Sequence, residues 1–377
     1  MHWERLSEDV YVFASDRYAQ VTASLIVSGT VGVVIDTLPF PQETSQIAYF
    51  ARRRCSDGVR YIIYTQHQAD HTYGAFLFPK AEIISHALCR EILIDKGFKA
   101  LETAKLNNRD LELVRLRLPT VTFDSGTFSL RLPGKTLDLI PTPGHTPDSI
   151  SVILQEEKIL FAGDTFMAIP TIGDGDVIRL RESIEMIAAM PLESIVQGHG
   201  EIILRGEIKD NIRRSLNYLE QLNTRVRKVV DSGGTLEDAR KITIEMCGLQ
   251  RVLLNGMVTQ LHTANVMALY HRLAALRGPV FVVAPRPIII REPPKPARKR
   301  AAAKKTITRK KVKRATTTRR KRSPAKVKRA AVHKKTTRSP AANKRATVKK
   351  KTPRTPAAKK RAVRKTTKKA TRTRRRA

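Results

Sequence analysis

The chain has 377 residues, of which 71 are Lys or Arg and 34 are Asp or Glu, with 41% apolar and 5% aromatic side chains. The charge is lopsided: residues 291–377 hold 39 of the bases and a single acid, Glu292, so this stretch carries a net +38 while the remainder is close to neutral. No apolar run reaches the ~20 residues that span a bilayer, and the first residues lack the apolar core of a signal peptide, which disfavours membrane insertion and secretion. Three cysteines (Cys55, Cys89, Cys247) without a Cys-x-x-Cys pair give neither a disulfide framework nor a thiolate metal site, so a reducing cytoplasmic setting is expected.

The early part of the chain reads as strands. Residues 10–14 are apolar and β-branched, 21–27 alternate, and 31–35 follow across Ser28-Gly29-Thr30, which has the composition of a hairpin turn. Residues 42–54 form a helical pattern with Ile47, Phe50 and Ala51 on one face, ending at Asp57-Gly58, and 61–64 return as a buried strand. Strand-like runs recur at 137–140, 150–154, 158–162 and 193–196, a pattern of sheets covered by helices. After about residue 207 the strands stop. Residues 209–230 read as a helix broken by Asp231-Ser232-Gly233-Gly234, Thr235-Leu236-Glu237-Asp238 opens another, and 251–276 form a third. His262 and His271 on that third helix have no partner ligands nearby and are expected to pack or face solvent.

Four stretches share one design, in which an apolar strand ends in a turn that presents His or Asp. Tyr61-Ile62-Ile63-Tyr64 leads to Thr65-Gln66-His67-Gln68-Ala69-Asp70-His71, and Leu137-Asp138-Leu139-Ile140 leads to Pro143-Gly144-His145-Thr146. Ile159-Leu160-Phe161 leads to Gly163-Asp164-Thr165, and Ile195-Val196 leads to Gly198-His199-Gly200. Side chains leaving adjacent strand ends can converge, and imidazole with carboxylate is a ligand set for Zn²⁺, Fe²⁺ or Mn²⁺.

In order and spacing these residues resemble the metallo-β-lactamase superfamily, in particular its hydrolases of the glyoxalase II and lactonase type, over about residues 8–205. The resemblance implies an α+β fold, an αββα sandwich with metals in a cleft at one edge of the paired sheets. It places Asp70, His71, Asp164 and His199 on the second metal position and His145 on the first, with Asp164 bridging. The family's two leading histidines are replaced here by Gln66 and Gln68. An amide oxygen is a poor substitute for imidazole, so the first position is expected to be weak or empty, and one ion, Zn²⁺ with Fe or Mn as alternatives, is expected at the second. His67 lies one residue out of phase and would need a kink to serve as a ligand; otherwise it stands behind the site or at the surface. Asp70 or Asp164 is then the group that steers or deprotonates the attacking water. Asp36 is expected to orient the metal loop rather than bind metal, Tyr73 to be a core or rim aromatic, His86 to be structural, and Asp174-Gly175-Asp176 to be a turn rather than a calcium loop.

The resulting organisation is a metallo-β-lactamase-like domain over 1–207, a helical extension over 208–277, a Pro-rich linker over 278–296 and a disordered Lys/Arg-rich tail over 297–377. Within the tail, Arg-Ser/Thr-Pro-Ala recurs every sixteen residues, and Lys328-Arg329, Lys344-Arg345 and Lys360-Arg361 keep the same offset in each unit. The composition resembles linker-histone tails. It holds no aromatic residue, so it is expected to bind nucleic acid through phosphate without reading sequence. Three functions stay open: a metal-dependent hydrolase of a small thioester, ester or lactone tethered to DNA and associated with nucleoid or chromatin; a nuclease of the same superfamily; and a non-catalytic nucleoid-associated protein. The nuclease reading is disfavoured by the short stretch from Asp164 to His199, which leaves no room for a large polymer-gripping insertion.

Overall fold

The computed structural model describes residues 1–251 and 254–276. The linker expected at 278–296 and the tail at 297–377, with its Lys328, Arg329, Lys344, Arg345, Lys360 and Arg361, lie outside the described residues.

The chain opens as an antiparallel meander of β1 (His2–Arg5), β2 (Val10–Ala14), β3 (Thr22–Ser28) and β4 (Val31–Ile35). Gly29 takes a left-handed φ of 58° in the β3–β4 turn. Helix α1 (Pro41–Arg54) starts with proline in its first turn and ends on Arg52, Arg53 and Arg54, which suit the negative end of the helix dipole. Then come β5 (Val59–Ile63), the one-turn helix α2 (Ala69–Thr72), β6 (Glu82–His86), α3 (Ala87–Ile92), α4 (Phe98–Asn107) and β7 (Val121–Phe123). Strands β4 to β7 run parallel and complete a seven-stranded sheet in chain order.

The second sheet contains β8 (Phe128–Leu132), β9 (Lys135–Pro141), β10 (Ile150–Leu154), β11 (Ile159–Gly163), β12 (Ser194–Gln197) and β13 (Ile203–Leu204), in the order β13-β12-β11-β10-β9-β8. Helix α5 (Val177–Ala188) crosses over between the parallel strands β11 and β12. Helices α6 (Arg205–Asp231), α7 (Leu236–Arg240) and α8 (Val258–Leu276) follow. Among the described residues no helix is long and apolar enough to cross a membrane.

The layering follows from alternation along the strands. In β2, Val10 and Val12 join Ile26, Val33, Ile63 and Ile84 against Leu139, Ile150, Val152 and Phe161 of the other sheet, while Tyr11 and Phe13 point to the opposite face and pack with Ile47 and Ala51 of α1. The outer face of the second sheet, through Leu160, Ala162 and Ile195, packs against Leu180 and Ile184 of α5, Tyr218 and Leu222 of α6 and Val266 and Leu269 of α8. Helices therefore cover both outer faces of an α+β sandwich. Each fully buried aliphatic or Phe side chain contributes roughly 1.5–3 kcal/mol, as an upper estimate against an extended unfolded chain.

The expected elements differ mainly at their ends. The helix expected from residue 251 begins at Val258, because Asn255 and Gly256 take left-handed φ values of 50° and 80° and interrupt it. Asp176, read as part of a turn, is the N-cap of α5 and accepts from the Ile178 and Arg179 amides. The topology also sets the site. Strands β4 and β5 are parallel, as are β11 and β12, and β9 runs with β11 because both are antiparallel to β10, so their C-terminal ends share one edge of the sandwich. Backbone bonds link the two sheets there: Ile150 N donates to Thr65 O at 2.9 Å and Thr22 N to Gly198 O at 2.8 Å.

Candidate metal centre

Asp36 leaves the end of β4 with a left-handed φ of 55°, which Asp tolerates better than most residues. Its carboxylate accepts from Thr65 N (2.8 Å), Thr65 Oγ1 (2.6 Å) and His71 Nδ1 (2.8 Å). Aspartate only accepts, so His71 Nδ1 carries a proton and donates, and in the neutral ring Nε2 is left with the lone pair. That Nε2 lies 3.2 Å from Asp164 Oδ2 and 3.8 Å from Asp70 Oδ2. His199 repeats the arrangement: Nδ1 donates to the Ala19 carbonyl at 2.9 Å, and Nε2 faces Asp70 Oδ2 at 3.1 Å and Asp164 Oδ1 at 3.5 Å.

A nitrogen lone pair and a carboxylate oxygen cannot hydrogen-bond to each other, so positive charge is needed between them. The charges around the two rings give the same answer. Burial opposes a charge on His71, yet Asp164, Asp36 and Asp70 outweigh it and raise its pKa well above the usual value. Burial likewise opposes a charge on His199, and Asp164 and Asp70 overcome it. Burial alone would raise Asp164, but the neighbouring imidazoles of His71, His199 and His145 hold it far below the usual carboxylate range. Ligand atoms of Asp70, His71 and His199 lie within 4.8 Å of one another, and Asp164 Oδ1 is buried without a partner. Two imidazoles with carboxylates fit a divalent cation such as Zn²⁺, Fe²⁺ or Mn²⁺.

The other candidate residues divide. Gln66 is fully buried and its Nε2 donates to Asp164 Oδ2 at 2.6 Å, with Oε1 buried and unpartnered. Gln68 Oε1 lies 3.2 Å from His145 Nε2, which is itself 3.2 Å from Asp164 Oδ2. His67 turns away, its Nδ1 resting 2.8 Å from buried Asp148 Oδ1. Tyr73 is buried with Leu101, Leu111 and Val114. His86 caps α3, accepting from Leu88 N and reaching the Asp124 carbonyl, while His262 is held between the Tyr218 hydroxyl and the Ile242 carbonyl.

Sequence reasoning missed Asp148, Thr171 behind His145, the Ala19 carbonyl and Tyr18. The Tyr18 ring lies 6.3 Å from that of His199, and the charge of Asp70, then burial and Asp164, push its hydroxyl up to about 12, so it stays a neutral donor beside the cluster. Only Asp148 carried a signal, in its place just after the Gly-His-Thr turn. The others are fixed by chain crossings that no local pattern encodes.

Gly198 is required for space. A Cβ there would lie 2.0 Å from Asp164 Oδ1 and 2.6 Å from the Gly163 carbonyl carbon. Gly198→Ala is expected to displace Asp164, release bound cation and destabilise the fold by about 1–3 kcal/mol. Metal content and denaturant unfolding check this, and wild-type values for both would show that the turn relaxes freely.

The chain is similar to known proteins over part of its length. The chain is 27% identical over 209 residues to the Beta-lactamase-like protein 2 homolog of Caenorhabditis elegans, covering 55% of this chain and 63% of that protein. It is 29% identical over 128 residues to an atrochrysone carboxyl ACP thioesterase of Aspergillus fumigatus, covering 32% of this chain and 40% of that one. The chain thus spans less than two thirds of either relative. The crystal structure of a metallo-beta-lactamase family protein from Thermus thermophilus superposes with a TM-score of 0.55 at 16% identity, over 72% of this chain and 95% of that one, a likeness of fold. The family model of the metallo-beta-lactamase superfamily matches residues 17–227, from the loop of Tyr18 into α6 and across every residue of the cluster; the chain belongs to that superfamily, whose fold implies a divalent metal.

Proposed function

We propose that this protein is a metal-dependent hydrolase of a small carbonyl compound, a thioester, ester or lactone, of the glyoxalase II and lactonase type. Its basic 297–377 segment then holds it on nucleic acid in the cytoplasm, at nucleoid or chromatin. One observation carries the catalytic reading: two imidazoles with their Nδ1 protons committed elsewhere aim their Nε2 atoms at two buried carboxylates.

Asp70, His71, Asp164 and His199 would hold the cation, which when bound supplies Lewis acidity toward a carbonyl and lowers the pKa of water to about 7. The protein's own groups do the rest. Asp36 and the Ala19 carbonyl fix the two imidazole rings, Asp70 or Asp164 accepts the proton of the attacking water, and Tyr18 offers a neutral hydroxyl beside the cluster. The thioesterase name of the fungal relative supports the thioester as the first substrate class to try. In the test, zinc-loaded protein is expected to turn over acyl thioesters or aryl esters, and protein stripped by chelator is not. Turnover of nucleic acid alone would overturn the assignment in favour of a nuclease, and a protein inert toward every class would favour a non-catalytic role.

A further inference from the structure

We propose that the superfamily's first cation position is closed in this chain by hydrogen bonds among Gln66, Gln68, His145 and Asp164, so that the protein holds one divalent cation where histidines at 66 and 68 would let it hold two. The inference rests on the reading of Asp70, His71, Asp164 and His199 as a cation site.

The amide orientations are fixed by their partners. A carboxylate accepts only, so the Gln66 atom 2.6 Å from Asp164 Oδ2 is the NH₂ nitrogen. Its N–H dipole supplies the positive end that an ion would otherwise bring to that oxygen. Gln68 donates Nε2 to Asp174 Oδ2 at 3.2 Å, which leaves Oε1 facing His145. His145 Nε2 then meets two acceptors, Gln68 Oε1 and Asp164 Oδ2, both at 3.2 Å.

At its other nitrogen, His145 has the Thr171 hydroxyl at 2.7 Å and the Thr171 carbonyl at 3.0 Å, so either tautomer finds a partner there. The two oxygens at Nε2 decide between them: Nε2 carries the proton and donates, while Nδ1 accepts from the Thr171 hydroxyl. A protonated Nε2 has no lone pair for a cation. His71 and His199 differ on this point, because Asp36 and the Ala19 carbonyl can only accept and hold the protons on Nδ1. The same edge of the sandwich therefore holds two imidazoles with acceptors on both sides, which call for positive charge, and a third, His145, that is satisfied as a neutral ring, while Gln66 Oε1 stays unpartnered. With an imidazole N–H and a spent amide N–H in this position, the residues do not fit a first ion.

The experiment is a metal count on the full chain, dialysed against excess zinc, freed of loose ions by gel filtration and measured by elemental mass spectrometry. Wild type is expected to hold one equivalent, and His145→Ala to keep it, since His145 is not a ligand. Gln66→His combined with Gln68→His is expected to hold one equivalent more than wild type, and adding His145→Ala to that pair should remove the extra ion. Two equivalents in wild type, loss of the ion in His145→Ala, or a histidine pair that stays at the wild-type level would overturn the proposal. Circular dichroism checks folding; should the histidine pair misfold, wild type and His145→Ala decide alone. A wild type with no zinc at all would sink the hydrolase reading, and the first position would still be read from the increment produced by the histidine pair.

Discussion

Asp164→Ala is expected to strip the divalent cation from the protein and to lower hydrolytic kcat/KM by at least about 100-fold. Losing a group that merely stands behind a metal ligand typically costs 10–100-fold in affinity or activity, and Asp164 belongs to the cluster itself. Its Oδ2 lies 3.2 Å from the Nε2 atoms of both His71 and His145, and its Oδ1 3.5 Å from that of His199. Without this carboxylate the imidazoles lose their central counter-charge, and Gln66 loses the oxygen that orients its amide. Asp164→Asn keeps the shape and removes the charge, so it separates electrostatics from packing and is expected to lose nearly as much. Zinc analysis and steady-state kinetics on esters and thioesters check both variants. Full zinc content with full turnover would mean that other residues hold the ion.

Removing residues 291–377 is expected to abolish binding of duplex DNA while leaving hydrolysis unchanged. The segment carries a net +38. Duplex DNA presents one phosphate charge per ~1.7 Å, and a chain engaging 6–10 phosphates loses about 10³–10⁵ in affinity between 50 and 200 mM salt. Replacing Lys328, Arg329, Lys344, Arg345, Lys360 and Arg361 with alanine removes six charges. The slope of log K against log salt should become shallower by up to about 5, at roughly 0.9 per phosphate contact. AT-rich and GC-rich duplexes should bind alike, because the tail holds no aromatic residue to stack on bases. Gel-shift titrations across salt measure all of this. A slope near zero, or undiminished binding by the truncated protein, would remove the electrostatic account. Hydrolysis lost together with the tail would instead point to a polymeric substrate.

Much of this architecture was legible in the residue order because the relevant patterns are local. The unbroken apolar run Val10-Tyr11-Val12-Phe13 marks a strand buried on both faces, and each site turn follows an apolar strand directly. Strands β7 and β8 went unread although Phe128, Leu130 and Leu132 alternate with Ser129 and Arg131, a weak signal at a half-exposed sheet edge. The orienting role expected of Asp36 matches the three hydrogen bonds that it accepts.

The sequence by itself determined which ionisable residues sit at strand ends, that two histidines of the superfamily's pattern are glutamines, and where the positive charge is concentrated, since each of these is a matter of composition and spacing. Only the tertiary structure decided what those residues do to one another. Gln66 meets Asp164 across 98 positions of chain, His67 meets Asp148 across 81, and His199 meets the Ala19 carbonyl across 180. Where an imidazole keeps its proton depends on the acceptor that packing brings to its far side, and two sheets closing on each other set that partner.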